Sequence, residues 1–429
     1  MRKMFGLISI LLIILYASGS ENIVHPNTYL NQYDVGVIKS RIDQEPWKSA
    51  YNRLMNESVP NAMNTPIQTV VNRGVVPPSG DQHDYFTQSY VGTDRTDYMS
   101  AIALRDAVRS LGLAYTLTGE SKYADKAIQL INGWTVDSDT KMVPRFMLWD
   151  IPGENDNAQS WIELSITMPG VFYGADLIWD YPGWSSSDKA AFKSWTQNMI
   201  NSARAQTFCH GVCQNHENWR LVFISSASVI TGDTVSMNYT FNRWKELIPI
   251  QMETSGRMKL ELDRGNAALF YSTYAIDAMI QTAEIAKHNG VDLYGYKLTD
   301  GRGLEKALDY HDNYIVDPLS WPNNPGTTQT RTRENAAIYE LAYSKYIKPG
   351  YKDVINVVGR PMYENRNMGP VTLTHADTYF DIINPTPGPT TIPDDPTTIP
   401  DDPGTIPVPN STSGGMKVVC YKISAALKN

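Results

Sequence analysis

YMSAIALRDAVRSLGLAYTLTGESKYADKAIQLINGW, residues 98–134, decides the fold class. Over 98–117 the apolar residues Ile102, Ala103, Val108, Leu111, Leu113 and Leu117 fall within one broad stripe at helical spacing, which predicts an amphipathic helix. Gly119 suits the left-handed position that ends a helix, and Glu120 with Ser121 opens a second one through SKYADKAIQLINGW. The same punctuation returns in SSASVITGDTVSMNYTFNRW, at Gly232 and Asp233, and in IAKHNGVDLYGY, around Gly290. Helix, tight glycine turn, helix, repeated along a chain, marks stacked helical hairpins, either a solenoid or a closed toroid. Strand-like alternation is confined to two weak candidates, 67–76 and 352–373. The expectation is an all-α body of ten or more helices, with irregular loops over 60–97 and 140–160.

The two ends of the 429-residue chain read differently from this body. Arg2 and Lys3, then FGLISILLIILY, then ASGS have the order of a secretory signal, so residues 1–20 are expected to be removed. The mature protein would begin near Glu21 and be secreted, periplasmic or held at the cell surface. No later run approaches the roughly 18 consecutive apolar residues of a membrane-spanning helix. The body spans 21–383. TTIPDDP at 390–396 repeats at once at 397–403, and proline at this density makes 384–413 an extended, stiff stalk. Residues 414–429 form a short tail that would serve for cell-surface attachment or be the remnant of another module. Asn56, Asn238 and Asn410 begin N-x-S/T triplets.

Hydrophobic residues make up 42% of the chain, enough for a sizeable core. A formal charge of -8 argues against sequence-independent nucleic-acid binding, which depends on a net basic surface. An acidic substrate would have to be met by Arg, His and Asn donors concentrated in a cleft, because global charge supplies no attraction.

CHGVCQNHENWRL, 209–221, is one such concentration. Cys209, Cys213 and His216 could share a helical face as zinc ligands, but no second CxxC or HxxxH pair completes a four-ligand site, so no metal is expected. In an oxidising compartment Cys209 and Cys213 instead read as a local disulfide that pins the approach to the next helix and leaves the histidine free. In ELDRGNAALFYSTYAID, 261–277, a continuous helix would bring Arg264, Tyr271 and Tyr274 to nearly the same face. By spacing alone, an arginine and a tyrosine so placed are equally a surface and a core residue.

QNHENW, DRGNAALFYSTYA with AKHNGVDLYGY, LAYTLTGESKYADKAIQLINGWTVDSDTKMVP and the IPG at 151–153 together resemble the alginate lyase superfamily, in the family's order, over about residues 77–310. The resemblance implies an (α/α) toroid with a deep cleft, and metal-independent, cofactor-free β-elimination on a uronate polysaccharide. Such a reaction needs the sugar carboxylate neutralised before the adjacent proton can leave, a base for that proton, and an acid for the leaving glycosidic oxygen. By resemblance, Asn215 and Arg264 would hold the carboxylate and Tyr271 would be the acid, and also the base in a syn elimination. His216, with an imidazole that ordinarily titrates near 6.5, would be the base for the other C5 epimer. A tyrosine titrates near 10 when free, so its use as a base calls for nearby positive charge.

Supporting contacts are expected from Trp219 stacking on a sugar ring, from Arg220 and Tyr274, and from His83 and Tyr85 in the segment PPSGDQHDYFTQSY, 77–90. Three departures separate this chain from alginate lyases proper. Gln214 precedes Asn215 and His216 where the family has asparagine, Ser272 follows Tyr271 where it has histidine, and no lysine occurs in 60–97. They leave the reaction type intact and weaken alginate as the specific substrate. Two other functions are weighed: a non-catalytic glycan-binding or envelope protein on the same fold, and a toroid glycoside hydrolase. The hydrolase would need two carboxylates facing each other, with Asp150, Glu154, Glu163 and Glu217 as candidates. Asp150, Glu154 and Asp156 also suggest calcium, against the simpler reading of a loop cap or solvated turn.

Overall fold

A computed structural model describes residues 23–87, 95–146, 159–205, 214–322 and 328–377. The stretch 98–134 forms two helices as read: α4 (Thr96–Thr118) ends at Gly119, whose φ of 75° is left-handed, and α5 (Ser121–Thr135) follows at once. Before them lie α1 (Gln32–Arg41), α2 (Trp47–Arg53) and α3 (Val59–Asn64), the last two joined through a π-helical turn at Leu54–Ser58. After them come α6 (Gln159–Leu177), α7 (Ser186–Ala205), α8 (Asn215–Thr231), α9 (Thr234–Gln251) and α10 (Ala268–His288). The chain continues through α11 (Leu304–Val316), α12 (Tyr339–Tyr346), α13 (Pro349–Val358) and α14 (Val371–His375).

Alternate helices occupy alternate layers. α4, α6, α8 and α10 pack side by side in chain order, while α5, α7 and α9 each lie against them from outside. A helix surrounded by other helices must be apolar or internally satisfied on all sides, and α8 and α10 are buried almost throughout. Outer α5 instead keeps a polar face to water. α14 packs against α1 and α2, and α3 packs against α4, so the C-terminal helices return to the N-terminal ones. The hairpins therefore curl round on themselves instead of running on as an open solenoid.

Both strand candidates are corrected. Residues 67–76 run as turn and irregular backbone, and 352–358 continue α13. The β-branched residues of 352–373 that looked like a strand include Val354 and Ile355, which α13 buries one turn from Tyr351. Among the described residues the only bridges are isolated, Met252 with Met258 and Glu364 with Gly369. No helix of the described residues is long and apolar enough to cross a membrane.

Two glycines set the closest approach within the inner layer. A Cβ on Gly112 of α4 would stand 2.7 Å from the carbonyl oxygen of Gly174 in α6, and one on Gly174 would stand 2.5 Å from the Val108 oxygen. Both neighbours are backbone and cannot swing aside. Gly174→Ala should therefore destabilise the protein by about 2 kcal/mol through overpacking, despite the roughly 1 kcal/mol that alanine gains in helix propensity, as read from urea unfolding. An unchanged or raised midpoint would contradict this packing.

Candidate active site

The first turn of α8 and the segment leading into α10 meet at one place. Gln214 is the N-cap of α8, so Asn215 and His216 sit where backbone N–H groups lack helical acceptors. The missing acceptor comes from another element: the Asn215 backbone N–H donates to Oε1 of Glu261 at 2.8 Å. A carboxylate suits the positive end of the helix dipole. The Asn215 side chain bonds the same group, with Nδ2 at 3.0 Å from each Glu261 oxygen. Those oxygens subtend a far smaller angle at the nitrogen than separates its two N–H bonds. One hydrogen is therefore shared between them, and the Asn215 side chain is fully buried.

Arg264 lies on a 3-10 segment, Lys259–Ala267, and not on α10. The continuous helix expected through Arg264 and Tyr271 is broken at Gly265, whose φ of 59° and ψ of -120° are open to glycine but not to residues with a side chain. The break still brings the two together, because the Arg264 guanidinium folds over the Tyr271 ring at 4.6 Å from its centroid. Its Nη2 donates to Oε1 of Gln214 at 2.6 Å, and its Nε stands 3.6 Å from Oε2 of Glu261. Tyr271 remains partly exposed, with Phe270 and Tyr274 edge-on to its ring. His216, also partly exposed, meets the edge of Trp161 at 5.3 Å between ring centroids. Arg264 thus ties the Tyr271 ring to the start of α8, where Asn215 is fully buried against Glu261 and His216 follows it in the chain.

The alginate lyase family profile matches residues 39–321. The chain belongs to the alginate lyase family. It is therefore a polysaccharide lyase, and its helices form the α/α toroid of its structural neighbours. An alginate lyase from Bacteroides ovatus superposes with a TM-score of 0.70 at 23% identity, over 82% of this chain and 100% of that one. Alginate lyase A1-III from Sphingomonas species A1 gives 0.63 at 18% identity, over 83% and 98%. A variant of alginate lyase A1-III complexed with a tetrasaccharide gives 0.63 at 16%, over 82% and 96%. No curated protein sequence matches.

Within this lyase several expected contacts are placed elsewhere. Trp219 is fully buried and packs on Tyr274 at 4.8 Å, so it offers no face for a sugar. Arg220 also turns inward, because its two ends bind both oxygens of Glu217 at 2.7 and 2.6 Å and the Tyr239 hydroxyl at 2.8 Å. Tyr274 is nearly buried, stacked on Phe270 at 5.6 Å, and supports the ring of Tyr271 from behind. Tyr85 is buried too, and its hydroxyl donates to Oε2 of Glu163 at 2.9 Å. His83 is partly exposed, with Nδ1 2.7 Å from the Lys141 oxygen. Cys209, Cys213, Asp150, Glu154 and Asp156 lie outside the described residues. Of the hydrolase candidates, Glu217 is held by Arg220 and Arg243, and Glu163 by Arg95 and Tyr85.

Three groups of the site carried no signal in one sequence. Arg331 lies 3.8 Å from the Phe270 centroid and interacts electrostatically with Tyr271. Its φ of 54° is held by a two-point bond to Glu334 and by the pairing of Thr330 with Asn266. Arg366 lies over Tyr274 at 5.2 Å and within 3.7 Å of Glu334. Both arginines are sixty or more residues beyond Tyr271, so only folding associates them with it. Glu261 is the third: it falls inside a stretch singled out for other residues.

Glu163 gives a pH test. Burial pushes its carboxyl up to about 7, against the opposing pull of Arg95, Tyr85 and Thr87. Between the ordinary 4.5 and about 7, the folded chain keeps a proton that the unfolded chain has released, so stability falls as pH rises through that window. Relative to Glu163→Gln, the wild type should lose up to about 3 kcal/mol across it in urea unfolding. A constant difference between the two proteins would contradict the assignment.

Proposed function

We propose that this lyase cleaves a uronate-containing polysaccharide by metal-independent β-elimination, with Asn215 and Arg264 neutralising the sugar carboxylate and Tyr271 and His216 handling protons. The observation that carries the reading is Arg264, which reaches from Gln214, the residue before Asn215, across the face of Tyr271. Donors directed at the carboxylate stabilise the charge that appears when the C5 proton leaves. The C5–H electron pair becomes the C4–C5 double bond as the C4–O bond breaks, and the departing oxygen takes a proton from Tyr271.

Tyr271, partly exposed under the Arg264 guanidinium, also accepts the C5 proton when that proton and the leaving oxygen share a face. His216, partly exposed, is the base for the opposite epimer. Its ring stands nearly perpendicular to that of Trp161, at 83°, which sets the tilt of the imidazole plane. Arg331 and Arg366 lie beyond Tyr271, over Phe270 and Tyr274, with Glu334 paired to both. The basic and apolar start of the sequence supports export, and the proline-rich stretch supports a spacer between the toroid and the tail.

Residues 21–383, incubated with alginate, polymannuronate, polyguluronate, glucuronan and glycosaminoglycans, should raise the ultraviolet absorbance of a conjugated unsaturated uronate on at least one polymer. Tyr271→Phe should reduce that rate by about 10^3-fold, as expected for loss of an acid–base group. New reducing ends without unsaturated product would mean hydrolysis and overturn the proposal.

A further inference from the structure

Glu261 is buried, and its bonds converge on two groups that the elimination uses. It accepts the backbone N–H and the side-chain amide of Asn215, and it lies 3.6 Å from Arg264 Nε. An ionised carboxylate only accepts hydrogen bonds. It can therefore bond the NH2 of Asn215, whereas an inverted amide would press Oδ1 against two negative oxygens. In the observed orientation Oδ1 is buried without a hydrogen-bond partner, an arrangement that is costly in isolation and persists only where something enforces it.

We propose that Glu261 is a positioning residue of the lyase: it fixes the amide orientation of Asn215, so that an N–H and not Oδ1 meets the sugar carboxylate, and it keeps Arg264 beside that N–H. The inference rests on the elimination reading above. Substrate does not touch Glu261. The residue acts through Asn215 and Arg264, and its own negative charge is offset by them and by the start of α8. A glutamine in its place has one carbonyl oxygen, which the Asn215 backbone N–H takes, so its NH2 faces the Asn215 side chain and favours the inverted amide, with Oδ1 toward position 261 and the oriented donor lost.

A double-mutant cycle separates this role from simple capping of α8. Glu261→Gln should lower kcat on the cleaved polymer by about 100-fold with KM within about threefold, the scale of losing one oriented donor. Glu261→Asp keeps the charge and should recover about tenfold of that loss, the shortfall reflecting a displaced carboxylate. Combined with Asn215→Ala, the glutamine variant should be no more than about twofold slower than Asn215→Ala alone, because the partner it orients is gone. Losses that multiply, a glutamine variant with wild-type kcat, or losses in Gln and Asp that track the melting temperature would each overturn the proposal. A wild-type chain that yields no unsaturated product would sink the elimination reading and this inference with it. An active enzyme with an additive cycle would sink this inference alone.

Discussion

A carboxylate buried at the junction of two elements is tolerated only where donors surround it, and that constraint organises the site. Burial holds the Glu261 carboxyl above the ordinary carboxylate range, against the opposing pull of Arg264 and Asn215. Because the donors come from α8 and the group from the segment before α10, satisfying Glu261 fixes how the two inner helices present their first turns. Arg264 completes the junction by bonding Gln214, the N-cap of α8, while covering Tyr271 on α10. One arginine thus links the start of one helix to an aromatic ring of another.

The layered toroid explains why the candidate site sits at helix starts. Inner helices are enclosed on all sides, so their middles carry apolar or self-satisfied residues such as Trp219, Tyr274 and the serines that bond back to the preceding turn. Polar side chains that must reach a substrate are confined to the ends of these helices and to the loops beside them. Asn215 and His216 open α8, Tyr271 lies in the first turn of α10, and Arg331 and Arg366 come from connecting segments. The break at Gly265 belongs to the same logic, since a straight helix through 261–277 would not turn Arg264 back over the ring.

The sequence made the helical hairpins legible because apolar spacing and left-handed glycines are local signals, and Gly119 and Gly232 end their helices as read. The strand candidates misled because Val354 and Ile355 are β-branched yet buried by a helix, where packing overrides propensity. Family resemblance singled out Asn215, His216, Arg264 and Tyr271, but it did not separate exposed from buried residues among their neighbours. Trp219 and Arg220 come within four residues of His216, yet one helical turn is enough to carry a side chain from partial exposure into the interior. Glu261, Arg331 and Arg366 were invisible for a different reason, since their meaning depends on partners up to about a hundred residues away.

The central claim, that Asn215 and Arg264 receive a uronate carboxylate beside Tyr271, is tested most directly by a crystal structure of Tyr271→Phe with a bound uronate tetrasaccharide. The account predicts one sugar carboxylate within hydrogen-bonding distance of both Asn215 Nδ2 and the Arg264 guanidinium, with the adjoining glycosidic oxygen over the ring at position 271. A tetrasaccharide whose carboxylates all lie away from these two residues would contradict it.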